Sequence, residues 1–322
     1  MRVRFKGGMR RLLRACVMAA PLGLRVRLLR LLLQGFGANV VTLYNQGRNL
    51  IISSLDGVLG RILVQGEYQE TADIAFVRAA VDADDVVFDV GASIGYYTII
   101  FAELVRHGRG AVYAFEPTPS TFARLERNCA LNGFIGDKVF LDNRALLDTP
   151  GRGQLHCYEE VGHEEISSSG WNTFGVPGFR DPSGREIPTR PVCVDVTTLD
   201  QVVSLHGLDT VNMMKLDAEG AEYLVLKGGA RTLERCAKTD AFLIMIELEP
   251  ERLQSMGSTV AEVVNLLEGY GMTICKFDAC AGRLVTAEDP SFSGLAGQNG
   301  IACRNPGYWN GRLARKADTR LQ

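Results

Sequence analysis

The sequence lacks the cysteine spacing of a metal site or a redox site. Its eight cysteines include no Cys-x-x-Cys pair, and most lie inside apolar runs such as Thr273–Cys275. Closely spaced cysteines are typical of structural zinc sites and of thioredoxin-like redox sites. Dispersed cysteines in apolar runs instead indicate reduced core residues, as in proteins of the cytoplasm. We therefore expect a cytoplasmic protein without disulfides.

Long apolar runs are also missing. Arginines and Pro21 interrupt the leucines of residues 10–33, so no run reaches the roughly 18–20 residues that a membrane-spanning helix requires. A secretory signal peptide is disfavoured, because the apolar stretch is broken and no small-residue cleavage site follows it. These absences exclude an integral membrane protein and argue against secretion.

Acidic residues are absent before Asp56, whereas residues 1–55 contain ten Lys or Arg. The rest of the chain holds 25 basic and 37 acidic residues. Nucleic-acid binding needs a basic face on the folded domain itself, so we predict no nucleic-acid partner. For the basic helical arm, residues 1–60, two interpretations stay open: it packs on the domain, or residues 1–40 lie peripherally on the anionic inner membrane surface.

The 322 residues are 46% hydrophobic and 22% charged, as in globular proteins. From residue 71 onward, short β-branched runs such as Val86–Val90 alternate with amphipathic helices, of which one opens at the capping box Thr259–Glu262. This pattern predicts an α/β fold with a doubly wound, Rossmann-like, mostly parallel sheet of seven strands. The last two of these strands, 272–277 and 300–303, are expected to form a closing hairpin.

The predicted domain spans residues 61–306 and is followed by a C-terminal tail, 307–322. Residues 150–191 interrupt its rhythm with Gly, Ser and Pro, which predicts an irregular insertion that serves as a lid or binding loop. The aromatic rings of this insertion are either stacking surfaces for a sugar or a small satellite core, and its His163 is either a base or a solvated loop residue. The rings belong to Trp171, Phe174 and Phe179.

A glycine turn, Gly91 to Gly95, follows the first strand of the domain. Glycine lets the backbone turn tightly and approach a ligand where a Cβ would clash. The dinucleotide motif Gly-x-Gly-x-x-Gly has a middle glycine, and Ser93 stands in its place. Asp89, directly before the turn, would repel a pyrophosphate but suits the cationic amino acid end of S-adenosylmethionine. The turn therefore favours the methyl donor, and the sheet is predicted to be that of a class I methyltransferase.

Glu116 ends the second strand, one βα unit later. A carboxylate at this place accepts hydrogen bonds from the two hydroxyls of a ribose in related nucleotide sites. Taken alone, Glu116 fits a solvated strand-end acid better than a binding residue, because acids mostly stay exposed. Its position beside the glycine turn favours the binding role.

Four segments resemble the FkbM family of methyltransferases: VVFDVGASIGYYTII, VYAFEPTPSTFARLERNCALNG, VTTLDQVV and MMKLDAEGAEYLVLKGG. The likeness runs from about Tyr68 to Glu251, and Lys215–Glu222 is its most specific part. It departs from the family at Ser93, where Asn is usual, and at Glu247–Glu251, where many members carry a His before the Pro. The second departure speaks against catalysis by a histidine there.

The resemblance implies an S-adenosylmethionine-dependent enzyme that methylates hydroxyls of sugars, glycolipids or polyketides. It implies a small-molecule or glycan acceptor and leaves the oligomeric state open. It places the donor against residues at the carboxyl ends of the first four strands. These are Asp89, Gly91, Ala92, Gly95, Tyr96, Glu116, Pro117, Asn143, Ala145 and Asp217.

A sugar hydroxyl is a poor nucleophile, so a positioned base contributes roughly 10²- to 10⁴-fold to its reaction. Asp217 directly follows a strand and is the first candidate for base or substrate anchor; Glu219, Glu222 and Glu247 are the alternatives. Glu222 also fits a structural role at a helix start. No ligand spacing predicts a metal site, although clustered carboxylates leave Mg²⁺ open.

Three other functions fit parts of the sequence. The same fold supports N-methylation or carboxyl methylation, because topology does not choose the acceptor. A catalytically inactive binding protein would keep the fold without turnover. A nicotinamide-dependent dehydrogenase shares the sheet but is disfavoured by Ser93 and Asp89.

Overall fold

The computed structural model describes residues 41–45, 48–52, 71–158, 172–178, 186–286 and 299–319. Contacts divide the chain into two units. One contains an antiparallel hairpin of β1 (Val41–Asn45) and β2 (Arg48–Ile52). All other described elements belong to the second unit. Residues 1–40, for which the sequence leaves two interpretations open, lie outside the described residues.

The second unit contains an eight-stranded sheet and a three-stranded sheet. Their strands are β3 (Val86–Val90), β4 (Ala111–Phe115), β5 (Val139–Asp142), β6 (Ala145–Leu146), β7 (Gly151–Tyr158), β8 (Thr189–Thr197), β9 (Met213–Leu216), β10 (Leu243–Ile246), β11 (Thr273–Asp278), β12 (Arg283–Thr286) and β13 (Gly300–Cys303). The large sheet has the order β12-β11-β13-β10-β9-β3-β4-β5, and the five strands from β10 to β5 are parallel. The predicted doubly wound α/β fold is confirmed.

Helices alternate with these strands. They are α1 (Thr71–Ala80), α2 (Tyr96–Val105), α3 (Pro119–Asn132), α4 (Leu199–Leu205), α5 (Glu222–Lys227), α6 (Ala230–Cys236), α7 (Pro250–Ser255), α8 (Val260–Gly269) and α9 (Pro306–Thr319). The predicted capping box opens α8, where the Thr259 hydroxyl accepts a hydrogen bond from the Glu262 N–H. Within the part of the chain that the structure describes, none of the helices has the length and apolar character needed to cross a membrane.

The sheet has eight strands rather than the predicted seven, and the additional strand is β12. The chain leaves β11 through a tight turn in which the Asp278 carboxylate accepts hydrogen bonds from Cys280 N and Ala281 N. β12 then pairs antiparallel with the outer edge of β11, whereas β13 lies between β11 and β10. The predicted pairing of β11 with β13 is therefore present, but β12 forms the hairpin with β11 first.

The insertion is also more regular than predicted. Its residues 151–158 form β7, which pairs along its whole length with β8 in an antiparallel ladder, and β6 pairs with β8 on the other side. The side chains of Leu155, Cys157 and Val194 form a small core in this sheet. The half-buried Phe174 packs against that core, which supports the satellite-core interpretation for this ring. Trp171, Phe179 and His163 lie outside the described residues.

The middle of the large sheet is fully buried. Every residue of β9 and β10 is buried, because helices cover both faces of a parallel sheet. The order of the strands reverses between β3 and β9, since β4 and β5 follow on one side and β10 on the other. Ligands of open α/β sheets bind at such a reversal, beyond the carboxyl ends of the strands. The crevice above β3, β4, β9 and β10 is thus the expected position of a ligand-binding site.

Residues 307–322, set apart as a tail in the sequence, contribute most of α9. This helix contacts α1 and β12, and it buries Trp309 and Leu313. Arg312 reaches two carboxylates that precede β3, with Nη2 at 2.5 Å from Asp85 Oδ2 and 2.7 Å from Asp82 Oδ2. By its contacts α9 is part of the second unit.

Arg312→Ala is expected to lower the free energy of unfolding by about 3 kcal/mol, because it leaves the buried Asp85 carboxylate without its cation. Urea unfolding followed by circular dichroism measures the loss. The control is Lys238→Ala, which removes an exposed pair with Glu234 and is expected to cost under about 0.5 kcal/mol. Equal losses in the two variants would show that α9 does not depend on the buried pair.

Candidate active site

The turn after β3 is tied to the end of β4 by backbone hydrogen bonds. Gly91 N and Ala92 N both donate to the Phe115 carbonyl, at 3.0 Å and 2.9 Å. Gly91 and Gly95 adopt the left-handed conformation with φ of 77° and 92°, and Ser93 does so with φ of 50°. Left-handed backbone favours glycine, which explains two of the three positions. The conformation of this turn is therefore fixed by its glycines and by its hydrogen bonds to β4.

The space at the two glycines is occupied by protein atoms. A Cβ on Gly91 would lie 1.8 Å from the Asp217 carbonyl oxygen, and one on Gly95 would lie 2.7 Å from Leu125 Cδ1. Real Cβ atoms essentially never approach backbone atoms so closely. Protein atoms thus occupy the side-chain positions at both glycines, and the contact of this turn with a ligand stays a prediction. Gly91 thus brings the turn after β3 into contact with the backbone after β9.

Asp89 lies in β3 and is fully buried. Its Oδ2 accepts a hydrogen bond of 2.5 Å from the Thr98 hydroxyl of α2, and its Oδ1 has no hydrogen-bond partner among the described residues. Burial raises the pKa of Asp89, and the nearby Lys215 opposes this. The Asp89 side chain has no exposed surface in this conformation, and its contact with a donor stays a prediction. Its role in this conformation is to hold α2 through Thr98.

Glu116 follows β4 and joins two loops. Its Oε2 accepts from Ser93 N at 3.1 Å and its Oε1 accepts from Thr118 N at 2.9 Å. The Asn143 amide donates to the Glu116 carbonyl at 2.7 Å. Burial raises the pKa of Glu116 to about 7. The Thr118 side chain is a third hydrogen-bond partner of this carboxylate, which leaves one of its four accepting positions for a ligand.

The other predicted donor residues divide into two groups. Tyr96, at the start of α2, and Pro117, directly after Glu116, are half-buried. They lie in the segments that follow β3 and β4. Ala145 begins β6, and its side chain is buried in the small core of the three-stranded sheet. The chain has turned into a new strand by this residue. The structure therefore separates Ala145 from the crevice.

Asp217 and Glu247 directly follow the adjacent parallel strands β9 and β10. Leu216 lies opposite Ile246 in the ladder, and Glu247 N donates to the Leu216 carbonyl at 3.0 Å. This register brings the two carboxyl groups together, and they share a hydrogen bond. We call Asp217 and Glu247 the acid pair. Two carboxylates in contact repel each other when both are charged, so the pair retains one proton.

Lys215 lies two residues before Asp217 and therefore on the same face of β9. Its Nζ is 2.7 Å from Asp217 Oδ2 and 4.8 Å from the centroid of the Tyr97 ring. The Lys215 side chain is only 3% exposed. Burial acts to raise the pKa of Asp217, but the charge and hydrogen bond of Lys215 outweigh it and the pKa is lowered. Sequence reasoning gave Lys215 no role, although a lysine inside the apolar run 211–216 was a usable signal.

The charge of Asp217 and burial together raise the pKa of Glu247 to about 9. At neutral pH, Asp217 therefore carries the negative charge of the acid pair and Glu247 carries the proton. A carboxyl group with a pKa near 9 is a strong base once it is ionised, whereas Asp217 is a weak one. The environment thus favours Asp217 as an anchor and Glu247 as a proton acceptor.

Two further acids lie in the turn after Asp217. The Glu219 carboxylate forms an ion pair with Arg252 of α7, which sequence reasoning did not identify. Glu222 is buried at the start of α5, and its Oε1 accepts from Ala218 N at 2.8 Å and Gly220 N at 3.3 Å. Burial raises the pKa of Glu222 to about 7. Both carboxylates are engaged in holding the turn, which leaves the acid pair for chemistry.

The crevice is rich in carboxyl groups. The described residues contribute Asp89, Glu116, Asp217, Glu219, Glu222 and Glu247, against the cations Lys215 and Arg252. Lys215 and Arg252 neutralise Asp217 and Glu219, and Glu247 keeps its proton at neutral pH, so the negative charge left for a cationic ligand is that of the ionised fractions of Glu116 and Glu222. Within the described ranges, no three His, Cys, Asp or Glu side chains are grouped so that they could hold a metal ion.

A doubly wound sheet with a glycine turn after its first strand, β3, and acids after β4, β9 and β10 defines a class. The protein is an S-adenosylmethionine-dependent methyltransferase with the Rossmann-like class I fold. Within this class the chain belongs to the FkbM family, since the model described as "Methyltransferase FkbM domain" matches residues 89–274, more than half of its length. The resemblance seen in the sequence is confirmed, and the dehydrogenase alternative is excluded.

Curated relatives include three named methyltransferases. The chain is 28% identical over 243 residues to "31-O-demethyl-FK506 methyltransferase FkbM" of Streptomyces tacrolimicus. The alignment covers 69% of this chain and 82% of the relative. It is 27% identical over 193 residues to "2-O-methyltransferase NoeI" of Sinorhizobium fredii, covering 58% and 72%. It is 26% identical over 197 residues to "Hexuronic acid methyltransferase AglP" of Haloferax volcanii, covering 58% and 71%.

Proposed function

We propose that the enzyme methylates a hydroxyl group of a saccharide, a glycolipid or a glycosylated metabolite. The observation that carries this proposal is the acid pair, because a hydroxyl must lose its proton as its oxygen is methylated. Amines are methylated as free bases and carboxylates are already ionised, so neither needs a strong base. The name of one relative, a 2-O-methyltransferase, supports a hydroxyl as the methylated group, and that of another, a hexuronic acid methyltransferase, supports a sugar as the acceptor.

The donor is proposed to lie across the ends of β3 and β4. Glu116 keeps one accepting position for a ribose hydroxyl, and Pro117 and Asn143 flank it. The ionised fraction of Glu116 suits the positive charge of the sulfonium and ammonium groups. When bound, S-adenosylmethionine supplies an electrophilic methyl group that needs no further activation. The protein has to align the acceptor with it and exclude water.

In this arrangement Asp217 and Glu247 divide the work. Asp217, held by Lys215 at 2.7 Å, accepts a hydrogen bond from the acceptor and keeps its charge. Ionised Glu247 takes the hydroxyl proton while the hydroxyl oxygen forms its bond to the methyl carbon. The sulfur keeps the electron pair of the broken bond, so the charges balance. Asp217 also raises the basicity of Glu247, because its charge disfavours a second negative charge nearby.

The turnover number is expected to rise with pH and to level off near pH 9. Below the pKa of Glu247, about 9, the base is protonated and only its ionised fraction reacts, so the rate rises about tenfold per pH unit. Turnover is measured at saturating donor and acceptor between about pH 6 and pH 10. A rate that is constant across this range would contradict the assignment of Glu247 as the base.

A stability control accompanies this profile. Glu247 keeps its proton in the folded state up to about pH 9, whereas the unfolded chain loses it near 4.5. The folded state therefore binds more protons in this window, and the free energy of unfolding falls as pH rises through it. Circular dichroism at each pH shows whether the enzyme is folded where its turnover is measured.

Mass spectrometry tests the proposed acceptor class. The enzyme and its donor are incubated with fractionated cell envelope and secreted polysaccharide of the source organism, and products heavier by one methylene are sought. The proposal predicts such products in saccharide fractions and none in a matched set of amines and carboxylic acids. Methylation confined to the amines or acids would overturn it.

A further inference from the structure

A short part of the insertion crosses from the end of β4 to the end of β9. We call residues 172–178 the strap. At its first residue, the Asn172 side chain donates to the Thr118 hydroxyl at 3.0 Å and accepts from Tyr158 N at 3.1 Å. Thr118 lies two residues after Glu116. The strap is thus attached to the loop that carries the proposed ribose contact.

The next residue attaches the strap to the turn after β9. The Thr173 hydroxyl donates to the Glu219 carbonyl at 3.0 Å and accepts from Gly175 N at 2.9 Å. The Thr173 backbone pairs with His156 of β7 through two hydrogen bonds, of 2.8 Å and 3.2 Å. β7 is itself paired with β8 along its whole length, so its bonds to Thr173 fix the position of the Thr173 hydroxyl.

The turn that receives this bond has an unfavourable backbone conformation. Glu219 has φ of 55°, in the left-handed region that residues other than glycine rarely adopt. Gly220 follows with φ of 101°, and a Cβ there would lie 2.4 Å from the Arg252 carbonyl oxygen. On one side, the Glu222 carboxylate binds the N–H groups of the turn. On the other side, Thr173 binds the carbonyl of the strained residue itself.

We infer that Thr173 is a positioning residue, whose hydroxyl fixes the turn after β9 and thereby holds the Asp217 carboxylate against Glu247. The inference rests on the proposed function of the acid pair. Without the hydroxyl, the Glu219 peptide loses the bond that opposes its return to a more favourable conformation. Asp217 begins this turn, so its carboxylate moves with it. The distance between the two acids then increases.

The test compares Thr173→Val with Thr173→Ser. Valine has the shape of threonine but no hydroxyl, whereas serine keeps the hydroxyl. The turnover number of Thr173→Val is expected to fall roughly 10- to 100-fold, as for a small displacement of a reacting group. Its pH profile is expected to shift to lower pH, because Asp217 lies farther from Glu247 and raises its pKa less. Thr173→Ser is expected to have a turnover number within about twofold of wild type and an unshifted pH profile.

Thr232→Val is the matched control. Thr232 is also buried, and its hydroxyl donates to the Asp200 carboxylate at 2.7 Å, at the start of α6. This variant loses a buried hydrogen bond of similar kind, so its melting temperature is expected to fall while its turnover and pH profile stay unchanged. A Thr173→Val enzyme that is destabilised like Thr232→Val but keeps the wild-type profile would overturn the inference, as would failure of Thr173→Ser to restore it.

A measurement without acceptor separates this inference from the proposed function. Carbon NMR of glutamate-labelled protein follows the ionisation of Glu247, with Glu247→Gln to assign its signal. The inference predicts a lower pKa in Thr173→Val than in wild type and Thr173→Ser, whatever the acceptor is. An unchanged pKa contradicts the inference. Absence of hydroxyl methylation, with the pKa shift present, contradicts only the proposed function.

Discussion

Glu247→Gln is expected to lower the turnover number by roughly 10²- to 10⁴-fold, the contribution of a positioned general base. Glutamine has the size of glutamate and can donate a hydrogen bond to Asp217, so the fold and the anchor are retained. It has no carboxylate to ionise, so the rise of activity toward pH 9 is expected to vanish as well. Single-turnover rates at saturating donor, measured from pH 6 to pH 10, give both results.

Two further variants serve as comparisons for Glu247→Gln. Glu249→Gln changes an exposed glutamate two residues further on and is expected to retain turnover within about twofold, since exposed charges contribute little. Asp217→Asn removes the charge that raises the pKa of Glu247, so the midpoint of its pH profile is expected at lower pH. Calorimetry with S-adenosylhomocysteine is expected to give unchanged affinity for Glu247→Gln. If Glu247→Gln turned over at the wild-type rate, Glu247 would not be the base.

Gly91→Ala is expected to have the largest effect on stability, a loss of roughly 3–5 kcal/mol of unfolding free energy, from backbone strain together with overpacking. The new Cβ would lie 1.8 Å from the Asp217 carbonyl oxygen, so the turns after β3 and β9 must separate. The φ of 77° adds strain for any residue with a side chain. Affinity for S-adenosylhomocysteine is expected to fall too, because the same turn positions Ser93 against Glu116.

Gly133→Ala is the matched control for this variant. Gly133 has nearly the same φ, 74°, but has no atom within 4 Å of its Cβ position. It therefore measures strain alone, expected to be about 1–2 kcal/mol. Urea unfolding of the two variants gives the difference. Equal losses would show that the contact between the two turns contributes nothing to stability.

Much of the fold was predictable because buried parallel strands have a clear signature. Continuous β-branched and apolar runs such as Val86–Val90 mark β3, β4 and β10 within a residue or two. β7 was not predicted, since its first four residues, Gly151–Gln154, are polar or glycine and only its second half packs in a core. β12 has four residues at the edge of the sheet, and such a strand carries too little pattern to detect.

The candidate site was predictable as far as strand ends determine it. Glu116, Asp217 and Glu247 each follow a recognisable strand, and parallel strands bring such residues to one edge. The sequence does not show which side chains turn inward, so it gave no sign that the Asp89 side chain is enclosed in the core. It also does not show partners distant in the chain. Thr173 binds the backbone 46 residues away, and only the folded ladder of the insertion brings them together.

The most direct test of the account is to locate the transferred methyl group. The enzyme is given S-adenosylmethionine carrying a carbon-13 methyl group together with the saccharide fraction it modifies, and the product is examined by two-dimensional NMR. The account predicts a labelled methyl group bonded to an ether oxygen of the saccharide, formed by the wild type and lost in Glu247→Gln. Label found on nitrogen or in a methyl ester, or formed equally by Glu247→Gln, would contradict it.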